Sequence, residues 1–139
     1  MAKINKYTGK EFEPLEPRLE ETGKKIENAA YIVHKALGPG LLEKIYEVCL
    51  CHELRKAGLF PERQIDFQIE YDGLTFDEGL RLDVLVDKDV IVEIKAVEQV
   101  NPVWEAQLLS HLRLLKKRLG YLINFNVPKI KDGIKRRIN

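Results

Sequence analysis

Tryptophan and methionine each occur once, cysteine twice, and aromatic residues make up only 8% of the 139-residue chain. Cys49 and Cys51 fall two positions apart in a helical pattern, so their side chains diverge. A disulfide between them is geometrically poor, and the pair fits a reducing compartment. Cys49 and His52 share a helix face, but two ligands do not make a zinc site, and packing is the plain reading. Excess charge of either sign is also missing: 23 Lys plus Arg stand against 22 Asp plus Glu, a net of +1. No global field gathers a polyanion, so any such site must be local. No uncharged apolar run is long enough to cross a bilayer, and the opening "MAKINKYTGKEFEPLEPRLEE" has no apolar segment of the signal-peptide kind. A cytoplasmic protein with no membrane partner is the expectation. Repeats and low-complexity stretches are absent as well.

What is present is 45% hydrophobic and 32% charged, enough apolar material for the core of one domain. Residues 1–20 mix charges with Pro14 and Pro17 without any period and read as a flexible N-terminal arm, leaving 21–139 as the domain. Ile26, Ala29, Ala30, Val33 and Leu37 recur at helical spacing from Glu21 to Leu37, and "GPG" at 38–40 stops that helix. A second helix runs from about Leu41 to Ala57, with Gly58 as its stop. "QIDFQIEY" alternates as a strand, and Asp72-Gly73 marks a hairpin into "LTFDE". "LRLDVLV" and "VIVEIKA" follow, apolar on both faces, as strands covered on both sides are. Asn101-Pro102 opens a helix to about Arg118 that Gly120 closes, "YLINFNV" is a further strand, and 128–139 is a basic tail. The order α-α-β-β-β-α-β predicts a single α/β domain with a mixed central sheet flanked by helices.

Two charges interrupt the apolar run 90–96, and they carry the chemistry. Alternation puts Glu93 and Lys95 on one strand face with Ile91, and Val90, Val92, Ile94 and Ala96 on the other. If 87–89 form a three-residue hairpin loop, Val86 pairs with Val90 and Asp83 falls opposite Glu93. Like charges so placed repel unless a cation lies between them. Mg²⁺ or Mn²⁺ suits such a site, taking one or two protein carboxylates and keeping water or phosphate oxygens elsewhere. Lys95 then holds or deprotonates a water, or neutralises charge on a phosphate. The competing reading is a salt-bridged patch, because Arg81 would face Lys95 in this register.

An aspartate on one strand followed by Glu-x-Lys on the next resembles the active site of the PD-(D/E)xK nucleases, with Leu82-Asp83 in place of Pro-Asp. "LGPGLLEKIYE", carrying Gly40, Glu43 and Tyr46, resembles the GxxExxY family placed in that superfamily. So do "HELRKAGL", "RLDVLV", "VEIKAVE", "EAQLLSHL", "GYLINFNV" and "KDGIKRRI". The resemblance runs from about Ile26 to Ile138 and implies a restriction-endonuclease-like core and a metal-dependent nuclease. It makes Asp83 and Glu93 the metal pair with Glu43 as an early acidic residue, Lys95 the catalytic lysine and Gln107 a supporting residue. It implies DNA ahead of RNA as substrate, and extends to a homodimer, since small nucleases of this class often dimerise to cut two strands. His111 stands where members often carry Tyr.

Each residue also has an ordinary role available. Glu43 begins a helix, where a carboxylate serves the dipole, and Tyr46 lies on a stripe facing the core. Gln107 fits a half-buried position on a helix whose Trp104, Leu108 and Leu115 make the core contact. His34 and His111 occupy partly apolar faces, where a satisfied core histidine is usual, and neither is counted as a ligand. Lys116 and Lys117 end a helix, where cations suit the dipole, yet with Lys135 and Arg136 they are candidate phosphate contacts. The alternative functions are a catalytically silent module of the same fold that binds nucleic acid or protein, and a purely structural protein.

Overall fold

The computed structural model describes residues 13–139, together with two short strands, β1 (Lys3–Ile4) and β2 (Glu11–Phe12), which pair antiparallel. Most of the expected arm lies outside the described residues. Its boundary at residue 20 is too late, because helix α1 spans Pro17–Leu37 and buries Leu15 and Leu19 with the core. Pro17 starts the helix where its missing N–H costs nothing.

Helix α2 (Glu43–Lys56) follows, then β3 (Pro61–Tyr71), β4 (Leu74–Val86), β5 (Val90–Lys95), α3 (Val103–Leu114), β6 (Leu119–Asn124) and β7 (Ile134–Ile138). The five long strands form one sheet in the order β3-β4-β5-β6-β7. Among the described strands only β5 and β6 run parallel, joined by the crossover helix α3, so the sheet is mixed as expected. "LTFDE" and "LRLDVLV" belong to one thirteen-residue strand, β4.

Two departures from the expected elements concern the C-terminal third. Helix α3 stops at Leu114 and the chain turns at Lys116, whose φ is 56°. Gly120 therefore does not close the helix; it lies within β6, under Leu108 and Leu112. The basic tail is not loose either: after a 3-10 turn at Ile130–Asp132 it adds β7 to the sheet. Its Lys and Arg content suits an edge strand, where charge discourages further pairing.

Apolar residues gather in two layers, one on each face. Val84, Val86, Val90, Val92, Ile94, Tyr121 and Ile123 pack against α1 and α2. Leu85, Ile91 and Leu122 pack against Leu108 and Leu112 of α3. The central strands are thus covered on both sides, which is why their sequences are apolar at odd and even positions alike.

Candidate functional site

The β4–β5 hairpin has the register that the three-residue loop demands: Val86 pairs with Val90, Leu85 with Ile91 and Val84 with Val92. Regular pairing stops there. Beyond it the Ile94 backbone N–H donates to Asp83 Oδ2 at 2.8 Å, so the aspartate side chain takes over where the ladder ends. Asp83 lies close enough to Glu93 for its charge to act on that carboxyl.

Glu93 points toward α3. Glu93 and Lys95 line a small cavity of about 30 Å³ with Trp104, Gln107 and His111. Only 14% of the Glu93 side chain is exposed, and Oε1 is buried with no hydrogen-bond partner. Burial pushes its carboxyl up to about 7; His111 opposes that rise and the neighbouring Asp83 charge adds to it. The Lys95 ammonium sits 4.4 Å from the Trp104 ring centroid, a cation–π contact that holds it beside the acids.

The early acidic residue arrives from the other layer. Glu43 is the first residue of α2, and its carboxyl is raised by desolvation and by the Asp83 charge, against the lowering effect of Lys95. Its position is fixed by Tyr46, one turn on. That hydroxyl donates to the Gly38 carbonyl at 2.6 Å and accepts from the Leu41 N–H at 3.1 Å, while the ring stacks on Phe125 at 4.7 Å. Gly38 and Gly40 have φ of 67° and 100°, backbone that side chains resist, so the loop before Glu43 needs them. The Gly40–Glu43–Tyr46 spacing is thus a device for presenting one carboxylate, and Tyr46 is a core residue, as its spacing implied.

A partly buried ion pair steadies the same helix. Glu47 receives bonds from Arg63 Nε at 2.9 Å and Gln64 Nε2 at 2.8 Å, tying α2 to β3. On the far side, Asn124 holds the chain that leaves β5: its Nδ2 donates to the Val97 carbonyl at 2.9 Å and its Oδ1 accepts the Val97 N–H at 3.1 Å. Neither residue was singled out from the sequence.

The structure brings Asp83, Glu93, Lys95 and Gln107 together, with Glu43 in electrostatic range of Asp83 and Lys95. It does not bring Arg81 to Lys95. Arg81 bonds to the exposed Asp66 at 2.8 Å, so the salt-bridged patch is not formed. Lys116 and Lys117 follow the C-terminal end of α3, at the opposite end of the crossover from Lys95. Arg136 pairs with Glu20 of α1 at 2.9 Å, while Lys135 is exposed in register with Leu122, which in turn pairs with Glu93. Of the four basic candidates, Lys135 alone stands level with the site.

His34 is the satisfied histidine its surroundings suggested, donating from Nε2 to the Val127 carbonyl at 2.7 Å. His111 is placed differently: it faces Glu93 as an ion pair, with Nδ1 3.9 Å from Oε1 and no hydrogen bond to that nitrogen. The signal for it was its place one turn after Gln107, on the same face of α3.

Cys49 and Cys51 are both free, and burial pushes the Cys51 thiol up to about 11, which leaves it inert. Among the described residues no three His, Cys, Asp or Glu side chains converge closely enough to hold a metal ion as they stand, and no helix is long and apolar enough to cross a membrane. The donor chemistry at the fork nonetheless fits a hard divalent cation, because a buried carboxylate oxygen is left without a partner beside a second carboxylate.

A family model described as the PD-(D/E)XK nuclease superfamily matches residues 20–137. No curated protein and no solved structure matches the chain.

Proposed function

Because the chain belongs to the PD-(D/E)XK nuclease superfamily, we propose that it is a metal-dependent phosphodiester hydrolase of the GxxExxY type acting on DNA in preference to RNA. The observation that carries this reading is the meeting of Asp83, Glu93 and Lys95 where the β4–β5 ladder ends. Two carboxylates and an ammonium grouped at the ends of β4 and β5 support this reading.

Asp83 and Glu93 would hold Mg²⁺ or Mn²⁺, with Glu43 contributing negative charge from α2; such an ion would supply Lewis-acid stabilisation of charge on the phosphate. Asp83 is oriented by the Ile94 N–H, so one of its oxygens needs no rearrangement to keep the group in place. Lys95 orients the attacking water or neutralises charge that builds on the phosphate, and the Trp104 face keeps its ammonium from swinging into solvent. Gln107 lines the cavity from α3 and positions the water or a phosphate oxygen. Exposed Lys135 supplies a backbone contact that carries no sequence information.

The testing experiment is cleavage of linear, circular, single-stranded and branched DNA, with RNA controls, with and without Mn²⁺. Metal-dependent cleavage lost in Lys95→Ala is the expected result. No cleavage of any substrate, with intact ion binding, would favour the silent binding module instead.

A further inference from the structure

We infer that the β3–β4 hairpin and the C-terminal end of α3 form a docking face for a second copy of this chain. The two copies are set about a two-fold axis, so that each acidic hairpin lies on its partner's basic helix end. The inference does not depend on the candidate site, because that end of α3 is at the opposite end of the crossover from Lys95.

The apolar part of the face is continuous. Ile69 pairs with Phe76 and Tyr71 with Leu74, so strand alternation puts all four side chains on one face of the hairpin. Tyr71, Leu74 and Phe76 are 70%, 58% and 44% exposed. Nearer the sheet, Ile69 and Leu80 line a cleft of about 350 Å³ whose other wall is Leu114 and Leu115. Leu114 is itself 53% exposed. Phe67 and Leu80 still pack with the leucines of α3, but the helix stops at Leu114 and leaves the outer hairpin uncovered. A two-stranded hairpin is marginal in water without cover, and a contiguous exposed apolar patch marks an interaction surface.

The charges around the cleft select the occupant. Residues 64–80 carry the five acids Asp66, Glu70, Asp72, Asp77 and Glu78 and no Lys or Arg. Residues 106–118 carry Arg113, Lys116, Lys117 and Arg118 and no acid. Asp66 is committed to Arg81, and Arg118 to the Asn139 carbonyl. Among the described residues the other four acids form no ion pair, and neither do Arg113, Lys116 and Lys117. An acidic hairpin repels the phosphates of a nucleic acid, so a protein is the better cover. An apolar cleft with one acidic and one basic wall is self-complementary. A two-fold axis sets each wall against its opposite in the partner, in two equivalent contacts.

The test is analytical sedimentation of the full chain. The wild type should be a dimer at micromolar concentration. Asp77→Lys with Glu78→Lys, or Arg113→Glu with Lys116→Glu, sets like charges together, and each double variant should dimerise about a hundredfold more weakly. An equimolar mixture of the two double variants restores opposite charges at both contacts and should sediment as a heterodimer. Leu74→Ser with Phe76→Ser should weaken the dimer about tenfold through the apolar contact. Every substituted side chain is exposed, and circular dichroism verifies each fold. A monomeric wild type would overturn the inference and leave the face to a different protein. A dimer that none of these changes weakens, or charge variants that do not recover on mixing, would overturn it as well. No nucleic acid takes part, so each of these outcomes leaves the hydrolase reading untouched.

Discussion

Asp83 and Ile94 are joined by a hydrogen bond of 2.8 Å from the Ile94 backbone N–H to the Asp83 carboxylate, where the antiparallel ladder between their strands gives out. A side chain thus replaces a backbone partner, and the strand edge stays satisfied while it diverges. Asp83→Asn keeps an oxygen for that N–H, so it should fold. It should lose Mn²⁺ binding in a calorimetric titration, with a melting temperature close to that of the wild type. A large loss of stability without any change in ion binding would mark the aspartate as structural only.

Lys95→Ala should reduce cleavage by about a hundredfold or more, the scale of a lost acid–base or charge-stabilising group. Stability should fall by only about 1 kcal/mol, because the contact with Trp104 is the main interaction removed. Single-turnover cleavage and urea unfolding separate the two effects. Activity equal to wild type would remove Lys95 from the mechanism.

The raised carboxyl of Glu93 makes stability depend on pH in a direction that can be worked out. Its folded value of about 7 exceeds the ordinary 4.5, so the folded state holds that proton more tightly than the unfolded chain does. The stabilisation is complete below pH 4.5 and disappears as pH rises through 7, an effect of up to about 3 kcal/mol. Urea unfolding of the metal-free protein should therefore give a falling stability between pH 5 and pH 8. Glu93→Gln should flatten that slope, and added Mn²⁺ should restore wild-type stability at pH 8. Equal slopes for the wild type and Glu93→Gln would show that the carboxyl ionises without penalty.

Tyr46→Phe keeps the stack on Phe125 and deletes only the hydroxyl that bridges Gly38 and Leu41. Stability should drop by about 1 kcal/mol, because the partly buried Gly38 carbonyl and Leu41 N–H lose a partner. Cleavage should drop as well, since the start of α2 carries Glu43. Retained stability with retained activity would mean that the loop holds its shape unaided.

Gly120→Ala tests the fit of α3 on the sheet. A Cβ there would come 2.8 Å from Leu108 Cδ1 and 3.2 Å from Leu112 Cδ2. Overpacking of this kind costs about 1 to 3 kcal/mol. Thermal unfolding should show the loss, and an unchanged melting temperature would mean that both leucines can swing aside.

Local patterns made much of this legible. The spacing of Val86 and Val90 about a short loop sufficed to give the pairs Val86–Val90, Leu85–Ile91 and Val84–Val92, because strand alternation leaves little freedom once the turn is set; the pairing ends one step before Asp83 and Glu93. Glycines at 38, 40 and 58 marked real helix boundaries. Gly120 misled because a glycine chosen for close packing of helix on strand looks the same in sequence as one chosen for a helix end. β7 was hidden by its charges: "IKRRI" on an edge reads as a solvated tail until its partner strand is known. Where the basic candidates stand was hidden for a related reason, since a list of lysines does not reveal that Arg136 pairs with Glu20, that Lys116 follows the far end of α3 or that Lys135 is level with Glu93. Spacing put His111 on the face of Gln107, but that it meets Glu93 is a property of three-dimensional neighbours.

The lone parallel pairing, between β5 and β6, has a kinetic consequence. Neighbouring hairpins zip up locally, but these two strands meet only after α3 has folded back across the sheet, a long loop closure that is slow relative to hairpin formation. Glu93 and Lys95 lie on the first of these strands, and their neighbours Trp104, Gln107 and His111 lie on the returning helix. A nascent chain that has made its hairpins has not yet brought these side chains together, so the candidate site is completed only with the finished fold.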